Sequence, residues 1–249
     1  MALDDYIPVQ HVERAVGQGI YQESLSQNSP LGTRLVLNDG RVFVYCLNGA
    51  VALDPAKLAQ GPVNTSTYTN LADVTVPAKG DTLVSLTNGA TTIAANKFDD
   101  GYLISDDDTG EGQIYKIKSH TVEAAGSAQV DITLYDSIRV ACAAATTYSL
   151  TRNPYDQTII QVASGSTQTS RTVGVPLIPV TASYFYWAQT WGDGVGWLNG
   201  TEAVGIQLMN STTAGQLITG DGTLPQLAVS SAQIGIAAEY KPVFWTIAP

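Results

Sequence analysis

A chain of 249 residues with 44% apolar and only 14% charged side chains has too much hydrophobic content to stay disordered, and its surface polarity must come from Thr, Ser, Asn, Gln and Gly. The formal charge of −10 weakens the counterion-release term that drives binding to phosphate backbones, so nucleic acid is a poor partner and none is expected. Thr (27), Val (22) and Ile (16) together exceed a quarter of the residues, against 6 Lys and 6 Glu, and this weight of β-branched side chains predicts an all-β fold.

The chain opens Met1-Ala2-Leu3-Asp4-Asp5, without the basic-then-apolar order of a leader, and no run reaches the ~18 to 20 apolar residues of a membrane helix. The expectation is a soluble, unexported protein with no membrane partner. Residues 1–31 are polar and irregular, with Pro8 and Pro30 near their ends. Gly17 and Gly19 interrupt the segment from Val12 to Ile20, each costing roughly 1 kcal/mol in a helix. These residues are expected to form an extended arm that is ordered only by a partner. Tyr6, Ile7 and Val9, which surround Pro8, are its candidate contacts.

Thr33–Leu37 and Arg41–Leu47 flank Asn38-Asp39-Gly40, the signature of a β-hairpin. Asp54-Pro55-Ala56-Lys57-Leu58-Ala59-Gln60-Gly61 places a capping Asp before Pro and a Gly after the end, which predicts one short helix. The Thr/Ser-rich stretch from Asn64 to Asn70 predicts a connector. Beyond it, Thr82–Leu86, Gly101–Ser105, Gly112–Lys118 and Gln129–Tyr135 are strand-length runs separated by turn residues, a pattern for an antiparallel sheet. In the third of these, Ile114, Lys116 and Lys118 alternate with Tyr115 and Ile117.

From Asn153 onward, Thr158–Ala163, Ser183–Thr190, Ala203–Met209, Gln216–Thr219, Gln233–Ala238 and Pro242–Ile247 recur at about ten-residue spacing, as in a sandwich or small barrel. One hairpin and a short helix cannot bury a face alone. Residues 32–62 are therefore expected to pair with 153–249 in one β-barrel or sandwich domain, with 63–152 as an inserted β domain.

Catalytic chemistry has few candidate parts. His11 and His120 are the two histidines, and no GxSxG, HExxH or GxxxxGK[ST] occurs. Asp108-Thr109-Gly110 spells the tripeptide of aspartic proteases, but it sits in a crowded acidic turn and has no second copy. The carboxylates of residues 106–111, with Asp99 and Asp100 near in sequence, could offer oxygen ligands to Ca²⁺, yet they miss the spacing of an EF-hand and read as a solvated turn. No catalytic residue, metal or cofactor is assigned. Gly192-Asp193-Gly194-Val195-Gly196 reads as a hairpin loop, since it lacks the spacing and the following helix of a dinucleotide site. Tyr184, Phe185, Tyr186, Trp187, Trp191 and Trp197 could form a sugar-stacking platform. Consecutive aromatics on a strand face both ways, however, which favours core packing on one side and a subunit contact on the other. Cys46 and Cys142 are too few for a disulfide scaffold and read as free thiols.

Gly32-Thr33-Arg34 with Asp39-Gly40-Arg41-Val42-Phe43, then Asn153-Pro154-Tyr155, Gly174-Val175-Pro176, the run from Tyr186 to Gly192 and Ile234-Gly235-Ile236-Ala237 resemble virion structural proteins of tailed bacteriophages. The resemblance runs from about residue 30 to the end, and its C-terminal pattern is similar to head decoration, or cement, proteins built from β-barrel modules. Residues 65–152 depart from the compact cement proteins. The resemblance implies a non-enzymatic protein on the capsid exterior, made in the host cytoplasm, that binds and stabilises the lattice of the major capsid protein as a homotrimer without a cofactor. A tail or connector component, or a carbohydrate-binding module for host adhesion, is the alternative.

Overall fold

The computed structural model describes residues 17–88, 92–123, 129–231 and 238–248, and the chain divides into two compact units, residues 1–62 with 154–249 and residues 63–153. Tyr6, Ile7 and Val9 lie outside the described residues, as do His11 and most of the segment from Gln233 to Ala238. The fold is all-β, and the regular elements among the described residues are strands apart from a 3-10 turn at Ser66–Tyr68. In chain order the strands are β1 (Arg34–Val36), β2 (Val42–Leu47), β3 (Ala59–Gln60), β4 (Leu71–Ala72), β5 (Leu83–Thr87), β6 (Tyr102–Asp107), β7 (Ile114–His120) and β8 (Gln129–Leu134). They continue as β9 (Thr147–Thr151), β10 (Ile159–Ile160), β11 (Thr172–Pro176), β12 (Phe185–Leu198), β13 (Gln207–Asn210), β14 (Leu217–Thr219), β15 (Ala228–Ser230) and β16 (Glu239–Thr246).

In the first unit the β1–β2 hairpin forms where the turn chemistry requires it. Gly40 takes φ +85°, open to glycine without a Cβ clash, and Asp39 Oδ1 accepts the Arg41 N–H at 3.0 Å. β2 then lies beside the first half of the 14-residue β12, with Tyr186 opposite Cys46 and Ala188 opposite Val44. Both faces of β2 are buried. Phe43 and Tyr45 pack with Ile20, Leu35 and Trp187, while Val44 and Cys46 pack with Leu53, Val173, Val180 and Tyr186.

The second half of β12 belongs to a closed ring in the order β12-β14-β13-β15-β16. Its one parallel pairing is Leu198 with Leu217, and all its other ladders are antiparallel. Leu208, Leu217, Val243 and Trp245 fill it. Closure removes the open edges that a sheet of such short strands would otherwise expose.

The structure departs from three expectations. Residues 54–61 are not a helix: Ala56 has φ +60°, its N–H bonds to Pro176 O at 2.8 Å, and the Leu58 N–H bonds to Gly215 O at 2.9 Å. Tertiary partners take the donors that a helix would use internally, and the segment ends as β3. Gly192–Gly196 is not a hairpin loop but the interior of β12. A Cβ on Gly194 would lie 2.6 Å from Trp245 Nε1, and one on Gly196 would lie 2.8 Å from Leu217 Cδ1. These glycines give an indole room to lie against the strand.

The described part of the expected arm, residues 17–31, is likewise not free but packs within the first unit. Ile20 is 1% exposed, the Trp187 Nε1–H donates to Gln18 O at 3.0 Å, and Ser24 exchanges backbone hydrogen bonds with Phe185.

The second unit is an antiparallel ring in the order β4-β9-β6-β7-β8-β5. An isolated bridge between Asp73 and Leu86 and the Val74 N–H to Ser85 O bond at 2.8 Å join its two ends. Period-two alternation supplies the interior: Tyr115 and Ile117 point inward with Leu103, Val130, Ile132 and Tyr148, while Ile114, Lys116 and Lys118 are exposed.

Candidate functional site

The antiparallel register of β12 and β16 sets Trp191 opposite Thr246, Asp193 opposite Phe244, Val195 opposite Pro242 and Trp197 opposite Tyr240. Alternation turns these pairs to one face, since the intervening Gly196, Leu198, Val243 and Trp245 are buried. The outward face is rich in aromatic rings. Trp191 and Phe244 meet edge to face at 5.5 Å, and Trp197 stacks on Tyr240 at 6.3 Å. Lys57 Nζ sits 4.5 Å from the Trp197 ring centroid, a cation–π contact. Val195 is 46% exposed and Tyr240 50%, so an apolar stripe lies open to solvent along the ladder.

The six aromatics singled out in the sequence do not form one platform. Tyr186 and Trp187 are buried in opposite cores, and Phe185 stacks on Tyr45 at 5.8 Å. Only Trp191 and Trp197 of that group reach the stripe. Phe244, Pro242 and Tyr240 complete it from β16, and their membership depends on a strand register that the sequence does not display.

A second feature of the first unit is a cavity of about 420 Å³, within the usual range for small-ligand sites. Val173, Leu227 and Ile247 supply apolar wall, and Gln161, Arg171 and Asn210 supply polar groups. The polar wall is held in place: Thr172 Oγ1 donates to Gln161 Oε1 at 2.8 Å, and Gln161 Nε2 donates to Gln168 Oε1 at 2.7 Å. Asn210 is 5% exposed. Its Nδ2 donates to Val162 O at 2.7 Å, and its Oδ1 has no hydrogen-bond partner. The Arg171 guanidinium lies 5.6 Å from the Tyr155 ring centroid. No sequence motif announces this cavity, because its lining comes from β11, β12, β13 and several loops.

The titratable groups weighed in the sequence are engaged structurally. Asp106 Oδ2 accepts the Ser149 hydroxyl at 2.5 Å, while Asp107 and Asp108 each accept the backbone N–H of the following residue. Among the described residues no three His, Cys, Asp or Glu side chains converge as metal ligands. The His120 side chain is fully buried. Its Nε2 lies 3.2 Å from the Phe98 N and 3.7 Å from Asp99 Oδ1, and its Nδ1 lies 2.8 Å from Thr121 O. Burial lifts the carboxyl of nearby Asp99 above its ordinary value. Burial likewise pushes the Cys46 thiol well up, which suppresses the reactive thiolate.

No family model, no curated protein and no solved structure matches the chain.

Proposed function

We propose that the chain is a non-enzymatic decoration protein of a tailed-bacteriophage head, a homotrimer that seats the outward face of the β12–β16 ladder on the lattice of the major capsid protein. The observation that carries this reading is the stripe itself: Trp191, Phe244, Trp197 and Tyr240 with exposed Val195. Aromatic enrichment with few charges marks the centre of protein interfaces rather than ordinary surface. Asp193, on the same face, and Lys57, over the Trp197 ring, are the charges that a partner covering it would have to match. The resemblance of its sequence runs to virion structural proteins is what suggests a capsid lattice as the surface covered.

The test is cosedimentation of the purified protein with particles assembled without it. Val195→Asp combined with Tyr240→Ser alters two exposed positions, so the circular dichroism spectrum should stay unchanged while retention on particles falls at least tenfold. Unaltered retention would remove the stripe from the interface. Cryo-electron microscopy density for this chain confined to the tail would reject the head assignment, and glycan-array binding abolished by Trp197→Ala would move the reading to host adhesion.

A further inference from the structure

We propose that Asn199–Gly200 is a self-modification site, where the chain converts its own asparagine through a cyclic imide to aspartate and isoaspartate with Glu202 as the base. The proposal does not depend on the capsid reading.

The sequence holds three Asn–Gly pairs, at Asn48, Asn88 and Asn199. Glycine after asparagine favours ring closure, because without a Cβ its backbone nitrogen can approach the preceding side chain. The fold treats the pairs differently. Asn48 is 1% exposed, its Nδ2 donates to Val51 O, Val180 O and Thr181 O, and the Gly49 N–H donates to Thr158 O at 2.8 Å. Both the amide and the attacking nitrogen are therefore held. Asn88 is fully buried, and Gly89 lies outside the described residues. Asn199 and Gly200 are half-buried just past the end of β12. The Asn199 N–H is anchored on Leu217 O at 2.8 Å, and its Nδ2 makes a single bond, to Ser211 Oγ at 3.1 Å. No hydrogen bond among the described residues engages the Gly200 N–H, so the nitrogen that must attack is uncommitted.

A buried carboxylate stands beside that nitrogen. Glu202 is 6% exposed, and its Oε2 accepts the Thr219 hydroxyl. A Cβ on Gly200 would lie 2.5 Å from Glu202 Oε1, which sets the second oxygen against the Gly200 backbone. A carboxylate oxygen held there needs only a small side-chain rotation to take a proton from the neighbouring N–H. In the reaction Gly200 N bonds to Asn199 Cγ while its proton passes to Glu202 Oε1. The Cγ–Nδ2 bond then breaks, and Nδ2 takes that proton and leaves as ammonia, which restores the carboxylate. Water adds to either carbonyl of the imide and opens it, giving aspartate or isoaspartate. Both products place a new carboxylate two residues from Trp197, and the isoaspartate also lengthens the backbone there.

The full chain, kept folded at neutral pH and then digested, tests this by peptide mass spectrometry, with incubation in oxygen-18 water marking the acid formed. Asn199 should convert about tenfold or more faster than the same residue in acetyl-Leu-Asn-Gly-Thr-Glu-amide, where no fold positions the base, while Asn48 stays intact. Glu202→Gln retains an acceptor for the Thr219 hydroxyl, so circular dichroism should be unchanged while conversion slows about a hundredfold, the lower end for loss of a general base. Should that variant misfold, the pH profile of the unaltered chain decides: a rate nearly flat across neutral pH supports Glu202, and one that climbs in proportion to hydroxide overturns it. Conversion no faster than in the peptide, equal conversion of Asn48, or an undiminished rate in folded Glu202→Gln also overturns the proposal.

Discussion

Gln18→Leu is the sharpest test of whether residues 17–31 belong to the fold. The amide makes four hydrogen bonds: Oε1 accepts from Tyr45 Oη–H at 2.8 Å and Asn28 Nδ2 at 3.2 Å, and Nε2 donates to Gln22 O at 2.9 Å and Phe185 O at 3.0 Å. Their loss is unequal. Phe185 O keeps the Ser24 N–H, and Gln22 and Asn28 are exposed and can turn to water. The Tyr45 hydroxyl, in a residue 0% exposed, loses its acceptor. One stranded buried donor costs about 1–3 kcal/mol and each satisfied bond nets about 1 kcal/mol, so the loss should be roughly 2–4 kcal/mol. All four tryptophans, Trp187, Trp191, Trp197 and Trp245, lie in the first unit. Urea unfolding followed by tryptophan fluorescence therefore isolates it. Adding Tyr45→Phe should recover part of the loss, since the stranded donor is gone, less the cost of the Asn28 N–H that donates to the Tyr45 hydroxyl at 3.1 Å. A change below about 0.5 kcal/mol, the usual size for an unimportant surface site, would return residues 17–31 to the status of an arm.

Three further outcomes are expected. Gly194→Ala should destabilise the first unit by about 1–3 kcal/mol through overpacking against Trp245, while Gly165→Ala, with open space around it, should stay within about 0.5 kcal/mol; equal effects in the same urea assay would refute the packing role of Gly194. Asp99 has its folded carboxyl raised by burial, so its charged form opposes folding at neutral pH and the opposition disappears as the group protonates. Asp99→Asn should therefore stabilise the second unit at pH 7, with the gain fading as pH falls through the raised value toward the ordinary carboxyl range, and a gain undiminished at pH 3 by circular dichroism melting would exclude charge as its cause. With Cys46 fully buried and Cys142 half-buried, iodoacetamide should modify Cys142 first and Cys46 only as fast as the first unit opens, whereas prompt native-state labelling of Cys46 in peptide mass spectra would contradict the packing around β2.

Local chemistry is what the sequence displays well. The β1–β2 turn is legible because its requirements, an acceptor at Asp39 and a positive φ at Gly40, lie within three residues. The inward Tyr115 and Ile117 follow from simple alternation. The misreadings share one cause, a partner far along the chain. Asp54 and Pro55 are sound helix-start residues, but Pro176 O and Gly215 O claim the N–H groups of Ala56 and Leu58. Gly194 and Gly196 look like turn residues until Trp245 is known to lie against them. The stripe was half legible through Trp191 and Trp197, and the cavity was not, since no single segment carries it.

The placement of the second unit between Pro62 and Pro154 sets an order of events during synthesis. β2 ends at Leu47, and β12, against which it lies, begins at Phe185. At about 5–20 residues per second, the ribosome takes on the order of 10 s to cover that interval. All six strands of the inserted ring are contiguous in the chain, so it can close while the other unit still lacks β10 through β16. The β1–β2 hairpin waits meanwhile with Phe43 and Tyr45 lacking Trp187 on one side and Val44 and Cys46 lacking Val173, Val180 and Tyr186 on the other. The most apolar strand of the first unit is thus made early and buried late, and this is the interval in which a nascent chain most needs protection from aggregation.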